Sequence, residues 1–115
     1  MKVGVQGTKE FKDYNVFMRA MGVALSSVHE GDEFYVYTAG PLAVNRFASE
    51  FINKSENSLK ARGIKARCFM VPPSYIQENI KEFGYFAYFS LPHQVQGSLA
   101  HYAELSGVDV GLFRY

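Results

Sequence analysis

Five short runs rich in β-branched and aromatic residues alternate with four stretches of helical spacing, and this alternation constrains the fold more than anything else in the chain. The runs are Lys2 to Gln6 (KVGVQ), Glu33 to Thr38 (EFYVYT), Ile64 to Val71 (IKARCFMV), Tyr85 to Phe89 (YFAYF) and Val108 to Phe113. Between the first two, Tyr14, Phe17, Met18, Met21, Leu25 and Val28 fall on one helical stripe. Val44, Phe47, Ala48, Phe51, Ile52, Ser55 and Leu59 form the next. A short helix is expected over about Tyr75 to Glu82, and a fourth through Leu99, Tyr102 and Ala103.

The punctuation agrees with this division. Asp13 can cap the first helix by accepting from orphan backbone N–H groups. Pro41 suits a first helical turn, where its missing N–H goes unneeded. Gly63 and Gly107 are natural left-handed stops. A βαβαβαβαβ order implies right-handed crossovers and parallel pairing. The YFAYF run has no polar alternation, as expected of a strand covered on both faces. The expected fold is one α/β domain spanning residues 1–115. It is a Rossmann-like three-layer domain with a mainly parallel five-stranded sheet and helices on both faces.

A length of 115 residues suits one core that needs no staples. The formal net charge of +1 gives no strong nucleic-acid signal. Lys60, Arg62, Lys65 and Arg67 cluster in sequence, as the solvated end of a helix and an edge strand would. Cys68 is the only cysteine; it sits in an apolar run and reads as a small buried residue. His29, His93 and His101 are scattered, so neither a metal site nor a cofactor is expected. No apolar leader and no membrane-spanning stretch stand out, which points to a cytoplasmic protein without membrane partners.

In open α/β sheets, ligands bind beyond the carboxyl ends of the strands, where strand order reverses and helix N-termini present free N–H groups. Four segments occupy those ends: Gly7–Tyr14, Thr38–Arg46, Val71–Ser74 and Ser90–Ser98. In the first, Gly7 allows close backbone approach, Thr8 offers a hydroxyl and Lys9 a charge that attracts phosphate. In the second, Gly40 opens a helix with Asn45 and Arg46 one turn in. Arg46 could fork onto a phosphate or pair with Glu50 at i, i+4. In the last, His93 offers an imidazole that could act as acid or base, while Gly97 and Ser98 begin a helix with Ser98 as hydroxyl donor or simple cap. Neither G-x-x-x-x-G-K-[ST] nor G-x-G-x-x-G occurs.

The run KVGVQGTKEFKDYNVFMRAM resembles the opening of the SLOG superfamily, especially its small YspA-type (DUF2493) members. Gly7, Thr8, Lys9, Phe11, Asp13 and Tyr14 follow that pattern, with Lys9 in place of the usual Arg. TAGPLAVNRFASEF is similar to the family's second element through Gly40, Asn45, Arg46 and Ala48, with Asn45 for Asp and one glycine for two. Gly97-Ser98 echoes a later Gly-Thr. The resemblance covers nearly the whole chain and implies a Rossmann-like fold with a pocket for nucleotides or nucleotide-derived signals such as ADP-ribose species. Related LOG-type phosphoribohydrolases carry a catalytic Glu; aligned on Gly97-Ser98 that position is His101, and the paired glycines become His93 and Gln94.

The expected function is therefore binding of a nucleotide-type small molecule, without catalysis. A second expectation is a protein-interaction domain that kept the fold, of phage or mobile-element origin and acting on a host protein or defence signal. Ten Phe and eight Tyr would serve such a surface, or self-association into a homo-oligomer. The third is hydrolysis of a nucleotide N-glycosidic or phosphate bond, for which Glu10, Asp13 and His93 are the available acids and bases.

Overall fold

The computed structural model describes residues 1–94 and 97–115, so Val95 and Gln96, in the middle of the last predicted loop, lie outside the described residues. The elements are β1 (Lys2–Gly7), α1 (Tyr14–Leu25), β2 (Glu33–Thr38), α2 (Leu42–Ala61), β3 (Lys65–Met70), α3 (Pro73–Glu78), β4 (Phe83–Ser90), α4 (Ser98–Leu105) and β5 (Asp109–Arg114). The five strands form one sheet in the order β3-β2-β1-β4-β5, and every neighbouring pair is parallel. The chain winds from β1 outward through β2 to β3, then returns to β4 on the other side of β1. The order therefore reverses between β1 and β4.

Strand alternation divides the core into two layers. Val3 and Val5 on β1, Phe34 and Val36 on β2, and Phe89 on β4 pack against α1 and α2 through Phe17, Met21, Val44 and Phe51. Tyr37, Phe86 and Tyr88 pack on the opposite face with Ile76 of α3 and Leu99, Ala100 and Ala103 of α4. The single α/β domain with helices on both faces is thus present, and its sheet is wholly parallel.

Several local expectations are corrected. In α1 the buried residues are Val16, Phe17, Ala20, Met21 and Ala24, while Met18 is 46% exposed. Met18 lies about 100° around the axis from Phe17, and the small Ala20 and Ala24 are what let the helix approach the sheet. The helix stops at Leu25, and Val28 is buried from the turn beyond it. The expected Tyr75–Glu82 helix divides into α3 and a 3₁₀ turn at Ile80–Glu82. Asn79 Nδ2 donates to the Tyr75 carbonyl at 2.8 Å, and such local side-chain bonds compete with helix propagation. Cys68 is half-buried, not buried, because β3 is an edge strand; partial burial still pushes its thiol up. Gly63 and Gly107 do take the left-handed conformation, at φ 74° and 87°.

Candidate functional site

The β1–α1 loop that carries Gly7, Thr8 and Lys9 is drawn shut by its own contacts. The Gly7 N–H donates to the Gly40 carbonyl at 3.1 Å, which joins the first two predicted loops directly. The Thr8 N–H donates to the Phe89 carbonyl at 2.9 Å, and the Phe11 N–H to the Thr8 carbonyl at 3.1 Å. The Thr8 hydroxyl hydrogen-bonds the Tyr115 hydroxyl. Phe11 is fully buried under the loop and stacks on Phe89 with ring centroids 4.5 Å apart. Only Lys9 points into solvent from the predicted trio.

The N-terminus of α1 is also occupied. Asp13 accepts from the Asn15 and Val16 N–H groups at 3.0 and 3.2 Å, as its place before the helix predicts. A carboxylate already seated on these donors repels a second anion. Removing it frees the turn: Asp13→Ala is expected to lower stability by about 1 kcal/mol, read as a lower urea midpoint at unchanged slope. The neighbouring Glu10 carboxyl is held below the usual carboxylate range, first by its own backbone N–H and then by the Thr8 and Gln94 side chains.

On the β2–α2 side, Gly40 takes φ 89° and is followed by a cis peptide to Pro41, which stands at the N-cap of α2 without a side-chain cap. Asn45 is half-buried, and its Oδ1 is fully buried with no hydrogen-bond partner among the described residues. A buried acceptor left unmatched is costly, so this atom is set to receive a donor. Arg46 is exposed and makes no ion pair among the described residues; its expected partner Glu50 binds Lys54 instead, at 2.7 Å.

The opposite face of the sheet holds the more open ground. A groove of about 490 Å³ runs between α3 and α4 and reaches the end of β1; Gln6, Gln77, Ser98, His101 and Tyr102 line it with apolar support from Leu99 and Leu105. Ser98 is the first residue of α4, not its cap. Gly97 is the N-cap, and among the described residues no side chain caps the helix. The reason for glycine there is packing: a Cβ on Gly97 would lie 2.9 Å from the Tyr88 ring. His93 is exposed on the loop before it. Arg114 secures that loop by donating to the Ser90 hydroxyl and, at 3.3 Å, to the carbonyls of Leu91 and Gln94.

The predicted residues therefore separate. Gly7, Thr8 and Gly40 meet at one junction that is internally satisfied, with Asn45 at the first turn of the adjoining helix. Ser98 lines the groove on the other face, whereas Lys9, Arg46 and His93 are exposed. Sequence reasoning missed Gln6, Gln77 and the role of Tyr102. Gln6 carried a signal: a polar residue closing an apolar strand, one step out of phase with Val3 and Val5. Gln77 carried none, since it looks like any exposed helical glutamine. Among the described residues no helix is long and apolar enough to cross a membrane. Compared with known proteins, the chain matches no family model, no curated protein and no solved structure.

Proposed function

We infer that this chain binds a nucleotide or nucleotide-derived ligand, of the ADP-ribose type, without transforming it. The observation that carries the reading is the groove at the carboxyl end of β1, the strand at which the sheet order reverses. Its size falls within the range of small-molecule sites, about 300–1,000 Å³. Its chemistry is mixed in the way a nucleotide requires. The uncapped first turn of α4 and the Ser98 hydroxyl can donate to a phosphate, Gln6 and Gln77 can bond ribose or base edges, and Tyr102, 39% exposed, offers a ring for stacking. The resemblance to the SLOG superfamily supports the same ligand class. The reading without catalysis rests on His101 standing where LOG-type enzymes have Glu.

Differential scanning fluorimetry against ADP-ribose, cyclic ADP-ribose, nucleoside phosphates and cyclic dinucleotides tests the proposal. At least one should raise the melting temperature saturably. Ser98→Asp, which places a carboxylate against the phosphate position, and Tyr102→Ala should each remove the shift, while Lys12→Ala leaves it intact. A folded protein unmoved by the whole panel, or a shift indifferent to Ser98→Asp, would rule this site out.

A further inference from the structure

The four cations that sequence reading assigns to solvent, Lys60, Arg62, Lys65 and Arg67, stand around an open edge of the sheet. Among the described residues β3 pairs only with β2. The Lys65 N–H donates to the Asp32 carbonyl at 3.2 Å and the Val71 N–H to the Thr38 carbonyl at 2.9 Å. In a parallel ladder alternate residues bond to the same side, so Lys65, Arg67 and Phe69 face β2 with their backbone groups, whereas those of Ala66, Cys68 and Met70 point away from the sheet. Beside this row runs a groove between α2 and β3. One part, about 540 Å³, is lined by Lys60, Lys65 and Arg67 against the single carboxylate Glu56, over an apolar floor of Ile64 and Ala66. A second part, about 280 Å³, continues past Ile52 and Cys68 to Phe69. None of the four cations is in an ion pair among the described residues.

We propose that this edge accepts an acidic, extended segment of a partner protein as a sixth strand. The unpaired backbone groups of Ala66, Cys68 and Met70 supply the main-chain bonds of strand addition. The side chains supply the selection. Lys65, Arg67 and Phe69 share one face of β3, so the added strand should carry Asp or Glu at the alternate positions beside Lys65 and Arg67, then an apolar residue beside Phe69, which is 38% exposed. On the other face, small or apolar residues would lie over Ala66 and Cys68 and meet Met70, 71% exposed. The same cations disfavour a second copy of this chain, because paired β3 edges would bring a basic strand against a basic strand. The inference is independent of the nucleotide groove, which lies on other elements.

A library of random dodecamer peptides displayed on phage, selected against the intact chain, is the probe. Selected sequences should alternate acidic and apolar residues, and the synthesised peptides should shift the amide NMR signals of Ala66, Cys68 and Met70. The double variant Lys65→Glu/Arg67→Glu should weaken their binding at least about tenfold, while the charge-matched Lys12→Glu/Arg19→Glu should not. Selection of non-acidic sequences, shifts confined to another surface, or unchanged binding in the Lys65→Glu/Arg67→Glu variant would overturn the proposal. So would a dimer in sedimentation that buries β3, or a single-stranded oligonucleotide that outcompetes the peptides at this edge.

Discussion

Phe11→Ala should cost this domain about 3–5 kcal/mol, the range for deleting a fully buried phenylalanine. Phe11 has no solvent exposure although it lies in a loop. Its ring stacks on Phe89 at 4.5 Å, meets Phe47 edge-on at 5.7 Å and leans on Tyr115 at 4.9 Å. These rings come from a loop, a central strand, a helix and the residue after β5, so the side chain is the point at which four separate segments converge. The methyl left by alanine cannot be covered by movement of one neighbour alone, and the cavity persists. Small domains have only about 5–15 kcal/mol of total stability, so the variant should stand close to unfolding at physiological temperature. Urea denaturation monitored by circular dichroism measures the loss. Phe11→Leu, which refills part of the volume, should lose distinctly less. A loss under about 1 kcal/mol for Phe11→Ala would mean that the loop reseats itself and that the convergence is not structurally important.

That position illustrates what the sequence can and cannot reveal. The strands were legible as runs of β-branched and aromatic residues and α1 and α2 by spacing near 3.6, whereas the third helix was legible only in place, since it divides at Asn79. The stops at Gly63 and Gly107 and the cap at Asp13 were legible because they follow from backbone chemistry at one residue. Phe11 belongs to no period, and only its place in a family-like motif singled it out. Met18 shows the converse, since an apolar residue at acceptable spacing lies on the rim of the stripe and remains exposed. The site was legible at the level of topology, which places loops at one end of a parallel sheet. It was not legible at the level of free donors. Thr8 looks available in sequence, but its hydroxyl is bound by Tyr115, a residue 107 positions away. Gly97 looks like a phosphate-binding glycine, but the Tyr88 ring beneath it requires the missing Cβ. Long-range partners of this kind leave no local trace.

Gly4→Val should also destabilise strongly, at or above the upper end of the about 1–3 kcal/mol typical of overpacking. Two effects oppose each other here. Valine is a far better strand residue than glycine, and strand propensity spans about 1 kcal/mol, so local reasoning favours the substitution. Packing decides against it. Gly4 occupies central β1, in register with Tyr37 on one side and Phe86 on the other. A Cβ there would lie 2.6 and 3.1 Å from the Phe86 ring and 3.5 Å from Ile76 Cγ2. Both neighbours are fully buried, so neither can swing into solvent. The branched carbons of valine press harder still, against α3 through Ile76. Because α3 also carries Gln77 at the groove, the strain should reach the groove as well as the core. The double variant Gly4→Val/Phe86→Leu separates the causes. If Phe86 is the obstacle, the second substitution recovers part of the loss and the thermodynamic cycle is non-additive by about 0.5–3 kcal/mol. If the two losses simply add, the clash lies elsewhere, and the ring over Gly4 is not what keeps that position empty.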